Sequence, residues 1–448
     1  MRPSLPDSLF DVLERQSRQN GGTPAIRTST GEATFAELYD RCRRHLAGMQ
    51  GLAGRRVALA MEPCPAWISL AGALARSGAH LFLLSPHLEA SRRDELAGQF
   101  SFHAIIGPDG EMRSLSDHQA AGLPGVTIFT SGSTGTPKAV THSWTSLLRP
   151  VRRRPELEHS RWMLTYPVRF YSGLQVQLQS LASGGTLTVA DRRSAATVCR
   201  QIYQENIQYV PATPSFWRWL LAFGDLPALR KSSLEHISLG GEPVSGELLQ
   251  ALHAAFPRAR IVHIYATSEL GRCFSVTDGQ AGFPAEYLAR CPEPGVSLRV
   301  VDGELQIRSD NAMRGYEGHA GDGAGWIATG DLVDISGGRV RFRGRNTEII
   351  NVGGSKVSPV EVETALRRVP GIADLRVYPV ASSLAGQLVA ADFVLAPGSR
   401  AEELRAAIAR ACAGLPNCQR PRILRFVDRL SILDSGKLDR QSQQESAA

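Results

Sequence analysis

Alternating helical and strand patterns predict an α/β protein, with a large N-terminal domain of layered α/β sheets (residues 1–344) and a small α+β C-terminal domain (residues 345–448). Three observations carry this expectation. Apolar runs of strand length alternate with helix-period segments as far as Ile264. From about Gly295, short alternating strands separated by glycines replace them, as in a β-rich subdomain (about 295–344). At Gly344-Arg345-Asn346 the pattern shifts again, and enough chain follows for a separate small domain.

In chain order, Glu37–Met49 reads as an amphipathic helix and Arg56–Met61 as a buried strand. A helix over Ala66–Ser77 and a strand over Ala79–Leu84 follow, and the alternation recurs over Trp162–Tyr209 and His236–Ile264. The β-rich part holds strands at Leu298–Val301, Glu304–Arg308, Val333–Ile335 and Arg339–Arg343. Beyond it lie a helix near Pro359–Arg368, strands near Leu375–Val380 and Val389–Leu395, and a helix over Ala401–Ala413. The tail from Gln441 is polar, and no internal repeat is visible.

At 448 residues, 43% hydrophobic and 21% charged, the chain has the balance of a globular protein with more than one core. Seven scattered cysteines without a C-x-x-C pair support neither a disulfide framework nor a zinc site. A net charge of +7 suits anionic partners without choosing among them. The arginines are dispersed and no nucleic-acid-binding motif occurs, so no nucleic-acid partner is expected. The first residues lack a basic region followed by an apolar run, and no stretch reaches about 18 apolar residues. A cytoplasmic protein without a membrane span is expected.

The most informative segment is Thr130-Ser131-Gly132-Ser133-Thr134-Gly135-Thr136-Pro137-Lys138, after the strand-like run Val126–Phe129. Glycines let the backbone approach a ligand, hydroxyls and N–H groups donate, and the lysine adds positive charge, which together cradle phosphate oxygens. Ala139 follows the lysine where a P-loop would have Ser or Thr, which speaks against a P-loop phosphotransferase. The segment resembles the phosphate-binding signature of the acyl-adenylate-forming (AMP-binding) superfamily, which includes acyl- and aryl-CoA ligases, adenylation domains of peptide synthetases and luciferases.

Later signatures follow in that family's order. Gly240-Gly241-Glu242-Pro243 matches a turn beside adenine, with Gly240 and His263 implied on the acyl pocket. Tyr265-Ala266-Thr267-Ser268-Glu269 resembles Tyr-Gly-x-Thr-Glu, implying adenine stacking by Tyr265, a hydroxyl from Ser268 toward the reacting groups, and Mg²⁺ on Glu269. Taken alone, this segment also suits a helix N-cap. Trp326-Ile-Ala-Thr329-Gly330-Asp331 and Gly344-Arg345 imply ribose contacts from Asp331 and Arg345. Glu348 falls at the implied hinge of a mobile C-terminal domain, and Gly353-Gly354 line the implied thiol tunnel. Asp434-Ser435-Gly436-Lys437 places Lys437 where the family has its catalytic lysine. Ser431 and Leu433 replace the common Pro-x-Thr, a departure expected to loosen the loop.

The resemblance therefore implies ATP and Mg²⁺, a small carboxylic acid converted to acyl-AMP, and transfer to the pantetheine thiol of CoA or an acyl carrier protein. Tyr171 stands where amino-acid-activating relatives place an aspartate for the substrate ammonium, so an α-amino acid is disfavoured. With Phe170 and Gly173 in the same implied pocket segment, an aryl acid such as a hydroxybenzoate is favoured, and a medium-chain fatty acid is the alternative. The early position of Thr130 implies a trimmed ligase of secondary metabolism. A catalytically silent acyl- or nucleotide-binding protein on the same scaffold is the rival class. Arg152-Arg153-Arg154 reads as a solvated loop or a dock for an acidic carrier or a 3′-phosphate.

Overall fold

A computed structural model describes residues 8–115, 122–130, 138–317 and 325–441. Parallel strands buried on both faces build its first half. In one sheet the strands Gly125–Thr130, His80–Leu83, Arg56–Leu59 and Ala104–Ile106 lie side by side in parallel. Successive strand residues face opposite ways. Val57, Leu59, Leu81 and Leu83 accordingly enter one core, while Ala58, Phe82 and Ile105 enter another with Phe100 and Phe102. Apolar residues at every position, rather than at alternate ones, are what such a strand requires.

The second sheet has eight strands with a parallel centre, Arg161–Leu164, Tyr209–Ala212, His236–Gly240 and Arg260–Thr267 among them. The core between the two sheets takes Leu9, Leu13, Trp67 and Leu74 from helices and Leu164 and Leu187 from this sheet. The N-terminal hairpin Pro24–Thr28/Gly31–Thr34 closes the edge of the second sheet, because Pro24–Thr28 pairs in parallel with Thr186–Val189. The helix expected from Glu37 runs Phe35–Ala47 instead. Thr34 and Glu37 form a reciprocal capping box that fixes the start ahead of Phe35.

A five-stranded antiparallel sheet contains Val296–Val301, Glu304–Ser309, Ile327–Ser336 and Arg339–Arg345, joined by the short Phe283–Pro284. The last sheet belongs to the C-terminal stretch and holds Ile350–Val352, Ser355–Val357, Ile372–Ser382, Gly386–Leu395 and Ile423–Phe426. It has its own apolar core, covered by the helices Pro359–Leu366 and Ala401–Ala413. All seven cysteines are free, and Cys42, Cys199, Cys273 and Cys412 are buried. Among the described residues no helix is long and apolar enough to cross a membrane.

Candidate active site

Thr130 and Lys138 face each other at the ends of two antiparallel strands, with Thr130 Oγ1 at 3.5 Å from the Lys138 carbonyl. These two residues flank the glycine-rich stretch in sequence. Ser131, Gly132, Ser133, Thr134 and Gly135 themselves lie outside the described residues. The Lys138 ammonium sits 5.4 Å from the ring centre of Tyr316, whose hydroxyl donates to Glu269 Oε1 at 3.4 Å. Burial, then Glu269, pushes the Tyr316 phenol up to about 12.

Tyr265, Ala266 and Thr267 end the strand Arg260–Thr267, and after a turn the chain returns antiparallel as Gly271–Val276. The segment is a strand end, not a helix N-cap, because the following residues pair back onto the strand and start no helix. Thr267 Oγ1 closes the turn by accepting the Leu270 N–H at 3.0 Å. The Ser268 carbonyl accepts from His142 Nε2 at 2.7 Å. Burial pulls His142 down to about 4, so the ring is neutral and Nε2 carries the proton.

Tyr265 lies parallel to Phe274 and Phe342, with ring centres 5.1 and 5.3 Å away. Its hydroxyl donates to Asp331 Oδ2 at 2.5 Å, and burial, with Asp331 beside it, raises the phenol well above its ordinary value. Asp331 is also cross-strand partner to Arg345, whose Nε reaches Oδ1 at 3.1 Å. The neighbouring Gly330 takes φ +75°, which favours glycine, and Thr329 Oγ1 receives the Asp331 N–H at 3.1 Å.

The lysine loop meets this group from the C-terminal side. Gly241 has φ +87°, and a methyl group there would sit 3.1 Å from Cε of Lys437. The backbone therefore favours glycine, and any side chain here would make Lys437 shift by a few tenths of an ångström. Burial, then Arg345, lowers the Lys437 pKa, while Glu242, Asp331 and Glu269 oppose that shift. Glu242 Oε1 accepts the N–H of Leu438 at 2.7 Å, and Thr213 Oγ1 donates to the Gly436 carbonyl at 3.1 Å. Backbone bonds from Leu433 to Lys437 and from Gly436 to Leu433, both 2.8 Å, close the loop. At the departures from the common pattern, the Asp439 N–H also reaches the Ser431 carbonyl at 3.0 Å.

Of the implied pocket residues, Tyr171 is buried against His142 and its hydroxyl accepts the Arg272 N–H at 3.1 Å. Gly173 packs so closely that a Cβ would meet the Pro167 carbonyl. Phe170 precedes the helix Tyr171–Ala182 and lies under the Arg169 guanidinium. His263 donates Nε2–H to Gln280 O at 3.1 Å, and the Gly240 carbonyl accepts from Tyr166 at 3.2 Å. Glu348 meets Arg440 Nη1 at 3.4 Å. Gly353 and Gly354, φ +55° and +87°, make the two-residue turn between Ile350–Val352 and Ser355–Val357. In the Arg152–Arg154 run, Arg152 pairs with Glu293 and Arg154 with Glu156.

Sequence reasoning did not single out Thr213, His142 or Tyr316. None belongs to a glycine-rich or acidic signature, and each acts on a partner distant in sequence. Glu242 was singled out for the nucleotide, and its partners in the fold are Ser215, Arg218 and Leu438.

Fold and site together define a member of the AMP-binding enzyme family, to which this chain belongs. The family's main region matches residues 13–124 and 118–317, and its C-terminal domain matches 361–437. Phenyloxazoline synthase of Mycobacterium tuberculosis is 28% identical over 97% of this chain, which spans about a third of that relative's length (34%). The 2-succinylbenzoate–CoA ligase of Escherichia coli is 25% identical over 81% of this chain and 82% of its own. A benzoate CoA ligase from Burkholderia xenovorans superposes with TM-score 0.79 at 19% identity, covering 97% of this chain and 99% of that one.

Proposed function

We propose that this chain is an AMP-forming acid–thiol ligase. A small carboxylic acid attacks the α-phosphorus of ATP, pyrophosphate leaves, and the acyl-AMP passes its acyl group to a pantetheine thiol of CoA or an acyl carrier protein. The observation that carries this reading is the seating of Lys437 against Gly241, in the field of Glu242, Asp331, Arg345 and Glu269. Two anions, carboxylate and α-phosphate, must meet in the first step, and positive charge placed where negative charge grows lowers that barrier. Lys437 supplies it, and Lys138, next to Tyr316 and through it Glu269, adds to it. The carboxylate is ionised at neutral pH, so no general base is needed.

Asp331 keeps free lone pairs beside its bonds to Tyr265 and Arg345, which suits two ribose hydroxyls. Among the described residues no cluster of three His, Cys, Asp or Glu could cage a metal. A lone carboxylate, Glu269, fits Mg²⁺, which binds through one or two carboxylates plus substrate phosphates. Bound there, Mg²⁺ would neutralise phosphate charge.

Residues 1–344 and 345–448 act as two units hinged at Glu348, the smaller one bringing Gly353-Gly354 to the thiol. An aryl acid such as a hydroxybenzoate is the favoured substrate. The aromatic Phe170 and Tyr171 and the aromatic acid named for the 2-succinylbenzoate relative support it. A cytoplasmic setting accords with the nucleotide and thiol substrates.

A panel of aryl and medium-chain acids, scored for pyrophosphate exchange and then for thioester with CoA or candidate carrier proteins, tests the proposal. Exchange with aryl acids is expected. No exchange with any acid in the presence of ATP and Mg²⁺ would revive the silent binding protein.

A further inference from the structure

Seven side chains of alternating charge run without a break from the hinge position to the lysine loop. Glu348 meets Arg440, and Arg440 grips both oxygens of Glu363 at 2.9 Å. Glu363 takes Arg367 at 3.1 Å, and Arg367 lies 3.4 Å from Asp374 Oδ1. That oxygen is 2.9 Å from Nε of Arg218, whose Nη2 is 3.8 Å from Glu242. Glu242 ends the series on the N–H of Leu438, the residue after Lys437.

The series is buried where it crosses between units. Side-chain exposure is 10% at Arg218, 12% at Asp374 and 4% at Glu242. Arg218 stands on the helix Pro214–Phe223, Asp374 on the strand Ile372–Ser382 of the C-terminal sheet. A buried ion with one partner is trapped by it, since separation leaves a bare charge in a poor solvent. Arg218 has two acids, one from each unit. If the units part, Arg218 keeps Glu242 and Asp374 keeps Arg367. The contact thus orders the interface without making it irreversible. By contrast, the crossing pair Arg169–Asp434 ends on a carboxylate 76% exposed, where solvent screens it.

We propose that Arg218 is a positioning residue. By bridging Glu242 and Asp374 it holds the C-terminal unit where Lys437 sits against Gly241, and release of Asp374 frees that unit for the thiol step. This rests on the two-step ligase reading above.

Three variants, Arg218→Gln, Arg218→Lys and the milder Asp374→Asn, are compared in three measurements. Pyrophosphate exchange should slow about 10- to 100-fold in Arg218→Gln and Asp374→Asn, mainly in kcat, as expected for a misplaced group. Thiol transfer from a supplied synthetic acyl-adenylate, which does not need Lys437, should not slow. Arg218→Lys should recover part of the exchange. Amide hydrogen exchange of the segment containing Leu438 should quicken in Arg218→Gln and Asp374→Asn, while the strand His236–Gly240 stays protected.

Equal loss of both half-reactions, or wild-type amide exchange at Leu438, overturns the proposal. A wild-type protein that exchanges no pyrophosphate sinks the ligase reading alone. The amide measurement still judges the interlock.

Discussion

Tyr265 donates its phenolic hydrogen to Oδ2 of Asp331 at 2.5 Å, so two signatures far apart in sequence share one hydrogen bond. Arg345 occupies the other oxygen, and the carboxylate is held from both sides. A hydrogen bond to a charged group contributes about 1.5–3 kcal/mol. Tyr265→Phe should therefore lower the melting temperature and raise KM for ATP, with a smaller effect on the KM for the acid. Asp331→Asn should raise KM for ATP further. Unaltered nucleotide affinity in both variants would count against a ribose role for Asp331.

Gly241→Ala places a methyl 3.1 Å from Cε of Lys437 on a backbone at φ +87°. Backbone strain of this kind costs on the order of 1–3 kcal/mol. Pyrophosphate exchange should fall by about 100-fold, the scale of a displaced reacting group. Thiol transfer from supplied acyl-adenylate should fall less. Steady-state rates of the two half-reactions check this, and an exchange rate equal to wild type contradicts the contact.

Glu348→Pro stiffens the backbone at the proposed hinge. Pyrophosphate exchange should persist while thioester formation is lost. Loss of both together, measured on folded protein, argues that residue 348 is not where the units turn.

Burial pulls His80 and His142 down to about 4. Between that value and the ordinary 6.5, the unfolded chain binds more protons than the folded one, so stability is whole above about pH 6.5 and falls as pH drops toward 4. Each histidine can account for on the order of 3 kcal/mol across that window. Urea midpoints at pH 7.5, 6 and 5 should decline in order, less steeply for His142→Asn. A midpoint flat with pH would mean these rings already ionise in the fold.

Local pattern was enough for much of the architecture. The helix Ala401–Ala413 runs as its periodicity predicts, and the strand expected at Arg56–Met61 forms over Arg56–Leu59. Both depend on neighbours in sequence, through side-chain period and continuous burial. The start of the helix at Phe35 was missed because a reciprocal cap outweighed the apolar pattern. The turn after Thr267 was ambiguous for another reason, since whether a strand end turns into a helix or a hairpin depends on the strand it returns to.

From residues alone came the family resemblance, the phosphate-cradling composition of the Thr130–Lys138 stretch and the ordered candidates through Lys437, because each is a run of neighbouring residues with a required chemistry. Only the folded chain could join Tyr265 to Asp331, Gly241 to Lys437 and Arg218 to Asp374. These partners are far apart along the chain. What selects them is how sheets and units pack, and charge buried by that packing must find its opposite wherever the fold delivers it.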